Sequence, residues 1–462
     1  MQTHTRLIQV SALALGIAGA MAFSQAHAAA FLLKENSVKA QGRSMAGAAS
    51  AKGDASVVAN NPAVMSTFDQ AAFQADVTGI DLSFKFNGGG TAAAGTPLAQ
   101  PMSGGEGGDA GGMNVVPAMS FVKPLSGQFE KLTVGAMVSA PFGLKTEYDS
   151  DWVGRYHALD SDVKIIDLTL AASLDLTDRF SIGLGAIYER ADVTLSNAID
   201  FGSAICSINI AACITPTPAT AVYGPQKNDG SVTVKGDDNS FGWIVGLNWR
   251  PIDSLSLGYS HRSEVDHELK GTGNFEVPGE VRVALDAAGA GALYNDGGAG
   301  AKLTLPSTDT LSATWQVNEQ FALMAEGTRT DWHSLAEIRI EFDNPGQADA
   351  AEDYKWEDSW FYSLGAEYRL NDSFTLRGGI ARDESPVSLP YRTPRMPDQD
   401  RNWYSIGATW SATENLDITA SYSRIQLVDK PVVGLLSSSG SYLSGDYDGG
   451  ADNYGISAQY RF

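Results

Sequence analysis

Few residues in this chain could do chemistry, and they form no catalytic pattern. The six histidines, at positions 4, 27, 157, 261, 267 and 333, are scattered. No serine and aspartate accompany them at the spacing of a nucleophilic triad. His157, in GRYHALD, is more typical of loop packing than of a ligand, although a single histidine acting as in a barrel phospholipase is an alternative. We expect no catalytic residue, no metal and no cofactor.

The two cysteines, Cys206 and Cys213, lie close together in a stretch rich in Pro, Ala and Thr. A metal site would need further Cys, His or carboxylate ligands nearby, and this stretch has none. In an exported chain, two neighbouring cysteines indicate a local disulfide that stiffens one loop.

The first residues predict export. Arg6 precedes an apolar, small-residue stretch, and Ala26-His27-Ala28 fits the cleavage rule for a signal peptide at 1–28. Cleavage after Ala30 is the alternative. No later run of eighteen apolar residues predicts a transmembrane helix. The formal net charge of −22 excludes a general nucleic-acid surface, so we expect no nucleic-acid partner.

The connections are sorted by length. Alternating segments are joined by short Asp/Asn/Glu turns, as in LDLTDRFSIGL at 174–184 and YRLNDSFTLRG at 368–378. Long irregular stretches, such as 198–239, separate these hairpins. Short turns that alternate with long loops are typical of outer-membrane barrels. We predict about 14 strands, with 254–269 and 320–341 each forming one strand.

The alternation places apolar residues on one face of each strand. From Phe241 to Trp249, one face of the predicted strand is apolar. In the strand from Tyr362 to Tyr368, the face opposite the apolar residues carries Glu367. A charged residue can face a lumen but not lipid, and aromatic residues at strand ends form interfacial girdles. The chain ends on Phe462, as bacterial barrels often do. These patterns predict an all-β fold, a transmembrane antiparallel β-barrel spanning 69–462.

Several segments, in this order, resemble the FadL-type outer-membrane transporters of hydrophobic compounds. They include AAFLLKENSVKAQGRSMAGAASAKGDASVVANNPAVM at 29–65, SAPFGLKTEY at 139–148, PSTDTLSATWQVNEQFALMAEGTRTDWHS at 306–334 and the closing YGISAQYRF. The resemblance covers the mature chain. It implies an N-terminal hatch, or plug, at 29–68 inside the lumen, with Phe31 and Leu32 in its N-terminal part and the motif Asn61, Pro62 and Ala63 near its end. Without the resemblance, a disordered N-terminal arm explains this segment equally well.

The resemblance also implies a lateral opening in the wall at a kink in the third strand, matched by Ala140, Pro141, Phe142 and Gly143. Pro141 cannot donate to a sheet ladder, and Gly143 tolerates the dihedral angles of a bulge. The alternative is that Pro141 only ends the strand before an outer loop.

The expected function is passive uptake of a hydrophobic small molecule across the outer membrane. The resemblance implies capture in the outer loops, an internal apolar pocket, hatch movement and lateral exit into outer-membrane lipid. The loop at 198–222 is unusually apolar, as a capture surface would be. We expect the barrel to act as a monomer. A general diffusion porin and a structural barrel are the alternatives of other classes.

Long-chain fatty acids are the first candidate ligand, and neutral aromatic hydrocarbons are the second. A carboxylate ligand needs an Arg or Lys in an apolar pocket. The basic residue associated with the fifth strand of fatty-acid transporters is replaced here by a non-basic residue near Leu195. Arg377 is another cation that we predict to face the lumen.

Overall fold

The computed structural model describes residues 31–215 and 221–462, and the predicted signal peptide at 1–28 lies outside them. Fourteen antiparallel strands form a closed wall, because the last strand pairs with the first. The wall strands, in chain order, are β1 (Ala72–Ala92), β2 (Gly112–Pro124), β3 (Leu132–Glu147), β4 (Asp160–Thr177), β5 (Phe180–Asp200), β6 (Asp229–Ile252), β7 (Leu255–Arg262), β8 (Thr308–Gln316), β9 (Phe321–Thr330), β10 (Ser359–Arg369), β11 (Phe374–Asp383), β12 (Arg401–Ser411), β13 (Leu416–Leu427) and β14 (Tyr442–Arg461).

The wall has the two faces that the alternation predicts. Phe241 is 75% exposed and Ile456 59% exposed on the outer face, where lipid replaces water. On β14 the opposite face carries Ser457 and Gln459, which are buried against the lumen contents. Exposed aromatic residues stand near the strand ends, as interfacial girdles do: Trp249, Trp315, Tyr368, Phe374, Trp410 and Phe462. The predicted all-β transmembrane barrel of about 14 strands is confirmed.

Residues 31–68, here called the hatch, fill the lumen as predicted. The hatch contains two short helices, α1 (Val38–Gln41) and α2 (Val57–Asn60), followed by a 3₁₀ helix at Pro62–Thr67. Ser37 caps α1 by accepting a hydrogen bond from the amide of Ala40. Small residues such as Ala40 and Ala55 are fully buried. A segment without long helices can fit inside a lumen of this width because its side chains are small.

Charged residues tie the hatch to the wall. Lys39 Nζ donates to Gln459 Oε1 at 2.7 Å and lies 3.8 Å from Asp417 Oδ2. Arg43 Nη1 donates to Glu367 Oε1 at 2.6 Å, and Arg377 Nε donates to the same oxygen at 2.8 Å. The buried charges of Lys39 and Arg43 are therefore each compensated by an opposite charge, as burial requires.

Additional strands at 265–276, 297–305 and 337–342 lengthen the wall on the side of the long connections. Two predicted strands are interrupted here. The strand at 254–269 breaks after Arg262 and resumes at Val265, and the strand at 320–341 is broken by a 3₁₀ helix at Trp332–Ser334. Among the described residues, no helix has the length and hydropathy to cross a membrane.

The loop after β5 is helical and is joined by a disulfide. Cys206 in α3 (Phe201–Ile208) is bonded to Cys213 in α4 (Ala211–Ile214). Phe201 and Ile205 pack against a third outer helix, α5 (Gly279–Ala287). The predicted irregular stretch at 198–239 is in part wrong, since β6 already begins at Asp229.

Deleting residues 31–65, with the signal peptide retained, tests the hatch. A wall of fourteen strands encloses a wide lumen, so we expect the variant to conduct ions steadily in planar bilayers. Full-length protein is the control, and heat-modifiable gel mobility checks that the barrel is closed. A correctly folded variant whose conductance equals that of the full chain would show that the hatch does not block the lumen.

Candidate functional site

Strand β3 contains a bulge halfway along the barrel wall. Ser139 pairs with Asp167 of β4, and the next paired residue is Phe142, which faces Ile165. Ala140 and Pro141 therefore oppose Ile166 alone, and two residues against one is the definition of a β-bulge. Gly143 lies beyond the bulge and pairs regularly with Lys164. The irregularity thus lies at Ala140 and Pro141, and Gly143 is outside it.

The ladder between β2 and β3 is incomplete. It joins 119–124 of β2 to 133–138 of β3, and then stops at the bulge. Among the described residues, β3 has no ladder partner on β2 from 139 to 144, and the amide of Glu147 donates to the carbonyl of Ala110. The same register would place Pro117 opposite Ala140. Sequence reasoning missed Pro117, although a proline within a strand marks a missing donor.

The first described residues of the hatch bind the free edge of β3. The amide of Leu33 donates to the carbonyl of Pro141 at 2.7 Å, and the amide of Gly143 donates to the carbonyl of Phe31 at 2.8 Å. Leu32 and Phe142 form an isolated antiparallel bridge between these bonds. The predicted hatch start and the predicted wall kink are therefore in direct contact.

An aromatic cluster surrounds this contact. The ring of Phe31 lies 5.6 Å from Phe142, 5.2 Å from Trp332 and 6.0 Å from Trp356, measured between centroids. All four side chains are buried. Tilted rings at these separations attract each other beyond the area that they bury. Trp332 belongs to the 3₁₀ helix that interrupts the strand after β9, so that interruption supplies a ring to the cluster.

An apolar cavity of about 70 Å³ adjoins Phe31. Its lining is aliphatic and aromatic, apart from the side chains of Arg395 and Lys235. Leu195, the position at which we expected no basic residue, faces this cavity. Its other lining residues include Leu144, Val163, Leu269, Leu303 and Trp356.

Two more cavities adjoin this path. A groove of about 490 Å³ lies among the outer loops, lined in part by His157 and Tyr391, and it shares Leu195, Ile338 and Arg395 with the apolar cavity. A polar cavity of about 110 Å³ lies on the inner side, lined by Leu33, Pro141, Asp167, Arg262 and Glu326 among others. Phe31 to Leu33 therefore separate the apolar cavity from the polar cavity beside the gap.

The motif Asn61-Pro62-Ala63 anchors the other end of the hatch. Asn61 Nδ2 donates to the carbonyls of Ala49 and Leu247, and its Oδ1 accepts from the amide of Ala63. Gly183 and Gly246 face the motif. A Cβ atom on Gly183 would lie 2.3 Å from Ala63 N, and one on Gly246 would lie 2.0 Å from Asn61 Oδ1. These two glycines let the motif approach the wall closely.

Arg377 lies away from the apolar cavity. Its Nη1 donates to Thr409 Oγ1 and its Nε donates to Glu367, so it belongs to the network that holds Arg43. The prediction that Arg377 faces the lumen is consistent with these contacts, but its charge serves the hatch.

Asp331, His333 and Asp358 offer three ligand atoms within 4.8 Å of one another on the outer side. Arg329 Nη2 donates to Asp358 at 2.5 Å, and His333 Nδ1 lies 2.9 Å from the same carboxylate. These contacts pair the carboxylate without a metal ion.

Phe31→Ala should loosen the hatch start without opening the barrel. Removing a buried ring costs about 3 kcal/mol, which corresponds to about a hundredfold faster local opening. We expect faster hydrogen exchange at the amides of Leu33 and Gly143. Phe68→Ala, at the far end of the hatch, is the control and should leave these amides unchanged. Unchanged exchange in Phe31→Ala would contradict the anchoring role.

The chain matches known transporters along almost its whole length. A family model described as outer membrane protein transport protein (OMPP1/FadL/TodX) matches residues 19–462. Outer membrane protein P1 of Haemophilus influenzae is 30% identical over 475 residues, covering 97% of this chain and 98% of the relative. The long-chain fatty acid transport protein of Escherichia coli O6:H1 is 29% identical over 422 residues, covering 90% of this chain and 91% of the relative.

Solved structures agree. A FadL homologue from Pseudomonas aeruginosa superposes with a TM-score of 0.84 at 26% identity, covering 94% of this chain and all of that chain. The toluene transporter TodX of P. putida, at 18% identity and a TM-score of 0.63, covers 88% of this chain and 94% of its own, and shows the shared fold alone. The expectations of an outer-membrane location and of no enzymatic activity are confirmed. The chain belongs to the OMPP1/FadL/TodX family, whose members are outer-membrane transporters of hydrophobic compounds.

Proposed function

We propose that this protein carries long-chain fatty acids from the cell surface into the outer membrane through a lateral opening in its wall. One observation carries the proposal. The first residues of the hatch occupy the free edge of β3, between the apolar cavity and the incomplete β2–β3 ladder. Displacing this short segment would connect the cavity with the gap.

Capture begins on the outer loops. Ile208, Ile210 and Ile214 are 43–54% exposed on the disulfide-joined loop, and Val222 nearby is 66% exposed. Exposed apolar patches of this kind attract apolar ligands. The groove among the loops leads inward to the apolar cavity, since the two share lining residues.

The apolar cavity then holds the ligand tail. Burying an alkyl chain releases about 0.8 kcal/mol per CH₂ group, so a long tail can compete with the ring of Phe31 for the aromatic cluster. The empty cavity is small, and occupation by a long tail therefore requires Phe31 to move. Binding thus favours displacement of the hatch start, and the step needs no nucleotide or cofactor.

Exit is sideways into outer-membrane lipid. Ser139 to Leu144 of β3 face no ladder partner on β2 in the described structure, and Pro117 and Pro141 each lack the donor that would close the ladder. An apolar chain that leaves here passes from protein to lipid and avoids water. Because all stages lie within one barrel, a monomer is sufficient.

Fatty acids are proposed ahead of hydrocarbons for two reasons. The relative named as a long-chain fatty acid transport protein is 29% identical over nearly the whole chain, and Arg395 lines the apolar cavity. The small cavity and the aromatic rings that line it, those of Phe31, Tyr354 and Trp356, favour a second candidate, a neutral aromatic hydrocarbon. Competition between oleate and toluene for uptake by cells that express the protein distinguishes the two.

Closing the gap should stop transport. Deleting Pro141 removes the extra residue of the bulge, and Pro117→Val restores a donor on β2, so the ladder can continue. We expect a folded barrel, near-normal oleate binding and uptake at the rate of cells without the protein. Pro124→Val, where the ladder is complete, is the control and should transport normally. Parental uptake by the folded double variant would refute lateral exit.

Fixing the hatch start should also stop transport. Leu32 and Phe142 form an antiparallel pair without direct hydrogen bonds, in which the Cα atoms lie about 4.5 Å apart, a spacing that suits a disulfide. In the variant with Leu32→Cys and Phe142→Cys, oxidation to the disulfide should abolish oleate uptake, and reduction of that disulfide should restore it. Each single variant is a control for loss of the side chain, and the parental protein controls for reduction of Cys206–Cys213. Full uptake by the oxidised double variant would show that the hatch start need not move.

A further inference from the structure

We propose that Arg395 binds the ligand carboxylate where the outer groove meets the apolar cavity, and so selects amphiphiles with an anionic head and an apolar tail. This inference rests on the proposed transport function and names its specificity-determining residue. Arg395 lines both the groove and the cavity. A ligand held there by its head has an apolar compartment directly beside it for its tail.

The fold holds Arg395 rigidly in this position. The residue belongs to the connection at 384–400 between β11 and β12, which turns inward. Tyr148 donates to the carbonyl of Pro394 at 2.7 Å, and Thr146 donates to the carbonyl of Arg395 at 3.3 Å. The residue is only 6% exposed. The guanidinium is therefore preorganised, which lowers the entropic cost of binding an anion.

The hydrogen-bond acceptors of Arg395 are neutral. Its Nη1 donates to the carbonyls of Asp160 and Ser196 and to Ser161 Oγ at 3.1–3.2 Å, and its Nη2 reaches Asn197 Oδ1 at 3.4 Å. In the described residues, the carboxylate within ion-pair distance is that of Glu352, whose Oε2 lies 3.7 Å from Nε. That distance exceeds a hydrogen bond.

Glu352 is a weak counter-ion for a buried guanidinium. Its Oε2 also accepts a hydrogen bond from Tyr354 Oη at 3.0 Å, and its side chain is 31% exposed. A buried positive charge without a close counter-ion is unfavourable, and an incoming carboxylate would relieve this cost. Burial and then the charge of Arg395 lower the pKa of His157 to about 4, so His157 adds no competing positive charge to the groove.

Leu195 of β5 lines the same cavity as Arg395 and carries no charge. The buried positive charge of the cavity is thus supplied from the β11–β12 connection. Lys235 also lines the cavity but is exposed, so water weakens its attraction for an anion.

Arg392 provides a matched control. It lies in the same connection, is 5% exposed, and donates to the carbonyls of Asp398, Val432 and Val387. It lines neither the groove nor the apolar cavity. Arg392→Gln therefore removes a buried guanidinium from this loop without touching the proposed subsite.

The test measures binding of oleate and of methyl oleate to the purified full-length barrel. Losing a charge-assisted hydrogen-bonded contact weakens binding by about tenfold to a hundredfold. We expect this loss for oleate in Arg395→Gln and no change for methyl oleate. Arg395→Lys should restore most of the oleate affinity, and Arg392→Gln should preserve the preference of the parental protein. Glu352→Gln should bind oleate more tightly, because it removes a competing carboxylate.

Parental affinity for oleate in Arg395→Gln would overturn the proposal, as would an equal loss for both ligands. Weaker oleate binding in Glu352→Gln would also overturn it. If Arg395→Gln loses heat-modifiable mobility, Arg395→Lys and Glu352→Gln decide the question on folded protein. The transport proposal fails separately, if cells with the parental protein take up neither oleate nor methyl oleate.

Discussion

The structure depends on one break in backbone hydrogen bonding. A closed barrel satisfies every strand edge within its own wall, and a free edge in lipid is costly. At Ala140 and Pro141 the wall of this protein departs from that rule, and the freed edge of β3 bonds Phe31 and Leu33 of the hatch instead. The hatch thus completes the wall from inside, and its position and the integrity of the barrel are linked.

Different kinds of contact hold the two parts of the hatch in the lumen. Toward β10 to β14, buried ion pairs such as Arg43 with Glu367 fix the body of the hatch. Around Phe31, aromatic contacts and two backbone hydrogen bonds hold only its start. Ion pairs resist displacement by an apolar molecule, whereas an aromatic cluster can exchange one apolar partner for another. In the proposed mechanism, ligand-driven movement is therefore confined to the first few hatch residues.

The sequence alone determined that the chain forms a barrel, and which face of each strand is turned to lipid and which to the lumen. Strict alternation over segments such as 241–249, sorted connection lengths and a charge at Glu367 opposite an apolar stripe permit few other structures, because lipid tolerates no unpaired charge. Pro141 was also identifiable, since a residue without an amide hydrogen limits the ladder wherever it lies. The hatch needed the family resemblance, because small polar residues alone are equally compatible with a disordered arm.

Only the tertiary structure decided which residues meet across long sequence distances. Phe31 contacts Phe142, Trp332 and Trp356. Arg395 lines the same cavity as Leu195 because the β11–β12 connection turns inward, and neither the length nor the composition of that connection predicts this turn. The breaks after Arg262 and at Trp332–Ser334 were likewise invisible, since neither 261–265 nor 329–334 contains a glycine or a proline that would mark an interruption. Local periodicity predicts which face of a strand a residue occupies. Cavities form between segments that are distant in sequence, so the residues that line them are decided only when the wall closes.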